Sequence, residues 1–184
     1  MAVFNPKQML ARSLPILTCL VLLEMLGGSA LGKSYSAIRP VFLMLLPPFI
    51  AVGGNVGSVF GARVSSALHL GLIQPGARER GPLRSNMVAL AFSGLVSYLC
   101  LSFFVFILSE VTGVLDLGLF RFMLITLLSG GCLTLFTIAI SLWTCFASFR
   151  RGLDPDDIVV PVVTTLTDFV GIILLLSFIA LLGT

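Results

Sequence analysis

The chain has very little charge. Eleven Lys and Arg and eight Asp and Glu make up 10% of its 184 residues, where a soluble domain carries roughly a quarter. So few charged side chains cannot cover a water-facing surface while 58% of the residues are hydrophobic. A chain of this size buries too small a share of its surface to hide them. With a mean hydropathy of +1.13, the solvent for most of the surface must be lipid. This excludes a soluble enzyme and a nucleic-acid binder, and the small net charge of +3 adds no basic patch. There is one His, so no Ser-His-Asp set is available, and no Gly-rich loop ends in a phosphate-binding Lys. Cysteine is also sparse. Cys19, Cys100, Cys132 and Cys145 fall in apolar runs without paired spacing and read as small buried side chains, forming neither disulfide nor metal cluster. Long polar stretches are missing too, Gln74 to Ser85 and Arg150 to Asp157 being the longest. Residues 1–184 therefore read as a single membrane domain.

What is present is a series of apolar runs. A bilayer asks for about 20 such residues per helix, and five runs meet that length, at about residues 14–31, 41–73, 86–109, 120–149 and 158–182. They do not alternate in ten-residue segments as barrel strands do. The expected fold is an all-α integral membrane protein with five transmembrane helices. The second run is too long for a straight crossing at 1.5 Å per residue. Pro47, Pro48 and the Gly53-Gly54-Asn55 triplet interrupt it, so this helix is expected to be broken or kinked. Seven basic residues (Lys7, Arg12, Arg78, Arg80, Arg84, Arg150 and Arg151) fall on the side of the N-terminus, and Lys33, Arg39 and Arg121 on the other. That asymmetry predicts the N-terminus inside and the C-terminus outside a cell membrane. The first run follows Lys7 and Arg12 and ends in small residues, like a signal peptide. Glu24 within it and four further spans favour an uncleaved helix.

Ionisable residues at membrane depth are costly and point to function by default. Asp168 comes first. As the eleventh residue of the fifth run it lies roughly 15 Å in, near the bilayer centre. Helical spacing puts Pro161, Thr164 or Thr165, and Asp168 on one stripe with Thr167 and Gly171 beside it, small and polar where the rest is Ile, Leu, Val and Phe. No Lys or Arg lies near Asp168 on that helix. Pro161 lacks an N–H, so the Asp157 carbonyl is left for other partners. Carboxylate and carbonyl oxygens suit hard cations, and Mg²⁺ keeps most of its water and needs few protein ligands. The bland alternative is a protonated Asp168 hydrogen-bonded to a neighbour.

The second constellation is Pro47-Pro48 with Gly53, Gly54, Asn55 and Gly57, read as a discontinuous helix exposing carbonyls to ions, or else as a packing kink. Glu24 and Arg63 are secondary candidates. Glu24 fits a helix-helix hydrogen bond or a second ion position, and Arg63 balances an acid or snorkels. The single His69 reads as interfacial. Asp154-Pro155-Asp156-Asp157 reads as a helix start with an Asp cap, Pro at the first position and acids in the first turn. Attraction of cations by Asp157 is a further role. Gly27-Gly28 and Gly130-Gly131 read as close helix contacts.

Gly53-Gly54-Asn55-Val56-Gly57 continued by Gly61-Ala62-Arg63-Val64-Ser65-Ser66, with Asp154-Pro155-Asp156 leading through Pro161 and Thr164-Thr165-Leu166-Thr167-Asp168 to Gly171, resembles the MgtE family of magnesium channels and the related eukaryotic solute carriers. The resemblance runs from the first span to the last. It implies a homodimer in the lipid bilayer with one central pore. In that pore Asp168 would hold a hydrated Mg²⁺, the Thr164 carbonyl would support it, and the Gly-Gly-Asn segment would line the path. Mn²⁺ and Co²⁺ are further ions of the same class. Ser58-Val59-Phe60 and Val160 depart from the family pattern, which often has polar residues there, and little chain precedes the first span to match the family's cytoplasmic sensor regions. The expected function is a divalent-cation channel or transporter, with a proton- or Na⁺-coupled carrier as the alternative.

Overall fold

A computed structural model describes residues 6–73, 81–114 and 117–182. Five helices follow one another: α1 (Pro6–Ser34), α2 (Pro40–His69), α3 (Gly81–Val111), α4 (Leu119–Arg150) and α5 (Pro155–Leu182), with a 3-10 turn at Tyr35–Ala37 between the first two. All five are long and apolar enough to cross a membrane, and no strand occurs among the described residues. Arg78, Arg80 and Asp116 lie outside the described residues, as do the side chains of Lys7, Arg12, Asp156 and Asp157.

The ends of the helices follow from local chemistry. Pro40 and Pro155 open α2 and α5, where a missing N–H costs nothing. Helices α2, α3 and α4 close with the same motif, on Gly71, Gly113 and Gly152 at positive φ. In α4 the Gly152 N–H donates to the Phe149 carbonyl and the Leu153 N–H reaches back to the Ser148 carbonyl, so carbonyls that a helix end leaves orphaned are satisfied.

Helices α2 and α4 form the centre. Helix α5 packs on both, α3 closes the opposite side, and α1 is outermost, touching only α5 among the other long helices. The hydroxyls of α4 explain its central place. Thr126, Ser129, Thr134, Thr137, Ser141, Thr144 and Ser148 are all buried along it, and Thr126, Ser129, Thr134 and Thr144 donate to carbonyls of their own helix. Bonded inward, they behave as small side chains that let neighbours come close. Two apolar clusters fill the interior. One holds Phe42 against Phe122 and Phe49 against Tyr98, and the other gathers Phe60, Val64, Ile138, Val159 and Val163.

The break expected in the second span is not an interruption of the helix, because α2 is continuous from Pro40 to His69. The glycines serve close packing instead. A methyl group on Gly53 would press on Thr167 and Leu133, one on Gly57 on Val163 and Thr137, and one on Gly61 on Val159. In lipid no water would take up backbone groups freed by a break, whereas contact with a bare backbone recovers dispersion and hydrogen bonds. Ser141 donates to the Gly57 carbonyl at 3.2 Å and the Cys145 thiol to the Gly61 carbonyl at 3.5 Å. Gly27 and Gly130 do sit in close contacts, against Phe169 and Ile172 and against the Tyr98 ring, while Gly28 faces open space. The cysteine reading needs correction as well: Cys145 is buried, but Cys19, Cys100 and Cys132 are exposed on outward faces. Lipid accepts a thiol on the outside of a bundle as readily as the core does.

Candidate functional site

Asp168 is the fourteenth of the 28 residues of α5, at the middle of the helix. It is partly buried, as are Thr164 and Pro161 at one and two turns before it. Across from it stands Gly54 of α2. A methyl group there would lie 3.5 Å from the Thr164 Cγ2 and 3.8 Å from an Asp168 carboxylate oxygen. The absence of a side chain at Gly54 therefore lets the carboxylate lie along the backbone of α2. The Thr164 hydroxyl turns back to the Val160 carbonyl at 2.9 Å and the Pro161 carbonyl at 3.1 Å and so donates to its own helix, not to the carboxylate. Among the described residues Asp168 has neither an ion-pair partner nor a hydrogen-bond donor.

The flanks of the stripe do other work. Thr167 is wholly buried and shares a hydrogen bond of 3.2 Å with Thr137 of α4. Gly171 is buried against Leu133 and Ile50. Thr165 points to α1, where its hydroxyl donates to the Glu24 carboxylate at 3.0 Å. Glu24 thus takes the helix-helix hydrogen bond expected of it, and it also lies within electrostatic reach of Asp168. Tyr98 has the same long-range relation to Asp168. Its ring is fully buried and its hydroxyl donates to the Phe49 carbonyl at 3.3 Å. Two carboxylates with no cation between them destabilise each other in a medium of low dielectric constant. The pair has the charge to attract a cation. No group of three or more metal-ligating side chains occurs among the described residues, so a bound ion would keep most of its water, as Mg²⁺ does.

Gly53, Gly54 and Gly57 of α2 thus meet α5 and α4 around the Asp168 level. Asn55 and Arg63 do not join them. Both line a groove between α2 and α3, with Ser93 and Ser97 of α3. Helical arithmetic held that information: Arg63 is nine residues from Gly54, about half a turn round the helix at ~100° per residue. Asp157 belongs to the first turn of α5, and its side chain lies outside the described residues. The sequence reading passed over the supporting hydroxyls Thr137 and Ser141. Their signal was a row of Thr and Ser at spacings of three and four along α4.

At the inner end of α2 predicted from the charge pattern, His69 places Nε2 4.0 Å from the Asp154 carboxylate and pairs Nδ1 with the Ser65 carbonyl at 3.0 Å. The pair joins the end of α2 to the turn before α5, two elements that meet at the Asp168 level.

Comparison with known proteins gives two matches. Residues 46–178 match the MgtE family, described as divalent cation transporter. The human protein solute carrier family 41 member 2 is 30% identical over an alignment 179 positions long that covers 89% of this chain and 31% of that protein. The chain therefore spans about a third of the length of that curated relative. No solved structure matches. The matched stretch contains the α2 glycines, the row of hydroxyls in α4, and the α5 stripe with Asp168.

Proposed function

Since the chain belongs to the MgtE family of divalent cation transporters and is a multi-pass membrane protein, we propose that it moves divalent cations, Mg²⁺ first, through a path shared by two copies. Asp168 is the residue on which the ion rests. The observation that carries this reading is a carboxylate at the middle of a membrane helix, against the bare backbone of Gly54 and without a protein partner among the described residues. A charge in that place is costly unless it meets a counter-ion.

One copy offers a single half-open stripe, Pro161, Thr164 and Asp168. Two copies would bring two carboxylates face to face, and a divalent cation between them neutralises both. Outer-shell contact through water would hold the ion weakly enough for it to leave, as conduction demands. Gly54 supplies width in this path and Gly53, Gly57 and Gly171 supply the packing that holds its wall. The Asp157 carbonyl, freed by Pro161, faces the same ion path one turn further along. In this reading the N-terminus is inside, and Mn²⁺ and Co²⁺ enter by the same route.

The test is ion flux into liposomes holding the purified full chain and a Mg²⁺-sensitive dye. Uptake down a Mg²⁺ gradient is the expected result, with Mn²⁺ and Co²⁺ competing. Absence of any divalent-ion flux would contradict the proposal. Uptake that tracks an imposed proton or Na⁺ gradient would replace the channel with a coupled carrier, in which Glu24 and Asp168 share the coupling ion.

A further inference from the structure

The groove between α2 and α3 lies on the side of α2 away from Gly54. Val52, Val56 and Val59 of α2 and Ala89 and Leu90 of α3 make its apolar wall, Asn55, Ser93 and Ser97 are its polar groups, and Arg63 stands at one end, around a cavity of about 480 Å³. A second hollow of about 620 Å³ continues it along α3, lined by Gly81, Arg84, Ser85, Val88, Ala89 and Phe92. Ala89 lines both, so the two hollows adjoin along the side of α3.

Its charge is one-sided. Arg63 and Arg84 are exposed, neither lining contains an acid, and neither arginine has an ion-pair partner among the described residues. Ala89 lines the groove together with Arg63 and lies five residues from Arg84 along α3, about 7.5 Å at 1.5 Å per residue. The two flexible guanidinium groups can turn toward one anion from either side of that residue. The planar fork of each matches phosphate oxygens. The rest of the groove suits a hydrocarbon chain. Val59, Val88 and Phe92 are 49%, 62% and 69% exposed, so the groove opens sideways on the outer face of the single bundle. A soluble phosphate would leave that apolar length uncovered.

We propose that this groove binds an anionic glycerophospholipid, with the phosphate on Arg63 and Arg84, the headgroup hydroxyls against Ser85 and Ser93, and one acyl chain along Val52, Val56 and Val59. The inference is independent of the ion site. Basic pockets between membrane helices select anionic headgroups because the charge interaction is only partly screened at the interface. A lipid wedged between α2 and α3 braces the face of α2 that lies opposite Gly54. Its occupancy therefore bears on how firmly α2 holds the glycine wall.

Native mass spectrometry of the full chain in detergent, with an equimolar mixture of dioleoyl phosphatidylglycerol and dioleoyl phosphatidylcholine, tests this. The wild type is expected to retain phosphatidylglycerol about tenfold over phosphatidylcholine. The double variant Arg63→Gln, Arg84→Gln should bring the ratio to about one, while Arg151→Gln, in a separate turn, should leave it unchanged. Ser93→Trp fills the groove and keeps both arginines, so it should lower retention of phosphatidylglycerol without loss of charge. Unchanged helix content and elution volume identify folded variants. An undiminished preference in the double variant, or in the Trp variant, overturns the proposal. So does displacement of the lipid by inorganic phosphate alone, which would make a free anion the ligand. Disulfide cross-linking between copies through Val59→Cys and Phe92→Cys would also overturn it, by showing that protein covers the groove.

Discussion

Asp168→Asn is expected to reduce Mg²⁺ uptake into liposomes by about a hundredfold while the protein remains folded, since even outer-shell partners of a metal contribute roughly 10–100-fold in affinity. The substitution keeps the shape, removes the charge and turns one accepting oxygen into a donating NH₂. Asp168 makes no hydrogen bond among the described residues that folding would lose. Stability in detergent should therefore stay the same or rise, because an unpaired carboxylate near the middle of a membrane helix destabilises the fold. A variant with full uptake would remove Asp168 from the path. A variant that loses both uptake and stability would make the residue structural. Gly54→Ala makes a useful companion. Its methyl group fits the folded chain, with its nearest neighbours at 3.5 and 3.8 Å, so lower flux in that variant reports on the width beside Asp168 and not on folding.

Gly57→Ala is expected to destabilise the bundle by about 1–3 kcal/mol, the usual range for overpacking, read as a shift of the unfolding midpoint in a mixed-detergent titration. The added methyl group would press on Val163 of α5 and Thr137 of α4 together. Both neighbours are β-branched and stiff at χ1, so neither can swing away without moving its helix. The better helix propensity of Ala over Gly, up to about 1 kcal/mol, opposes this and loses, because the contact involves two helices at once. Gly28→Ala is the matched control. Nothing lies within 4 Å of that site, so only the propensity gain remains and the midpoint should not fall. Equal behaviour of the two variants would contradict the packing role given to the α2 glycines.

The features that were legible in the sequence are those set by lipid itself. The five spans follow from apolar run length, and each run is carried by one helix, with α1 starting eight residues and α3 five residues ahead of its run. Asp168 stands out because lipid makes an isolated mid-span carboxylate expensive, and the structure leaves it beside Gly54 and unpartnered among the described residues. The continuity of α2 through its glycines has a physical reason. In water, Pro47, Pro48 and three glycines within eleven residues would weaken a helix, since solvent can take the freed backbone groups. In lipid it cannot, so the helix persists and the bare backbone becomes a contact surface for Thr167, Val163 and Val159. Asn55 groups with these glycines by nearness in sequence, and Arg63 follows two turns later. Three-dimensional position separates them, because one helical residue turns the side chain by ~100° and Asn55 consequently faces α3 while Gly54 faces α5. The partner of Glu24 could not be read at all. Thr165 lies 141 residues away, and only the docking of α1 against α5 brings them together.

The different faces of α2 have different neighbours. Gly53, Gly54, Gly57 and Gly61 meet α4 and α5 beside Asp168, while Asn55 and Arg63 line the groove against α3. Substitutions on the first side should change flux or folding, and those on the second should change lipid retention.

The central claim is that a divalent cation rests between the Asp168 carboxylates of two copies. Anomalous diffraction from crystals of the full chain soaked in Mn²⁺ tests it most directly. The account predicts a peak beside Asp168 on the two-fold axis between protomers, absent in Asp168→Asn crystals treated alike. Occupied Mn²⁺ sites elsewhere in the membrane region, with none at Asp168, would contradict it.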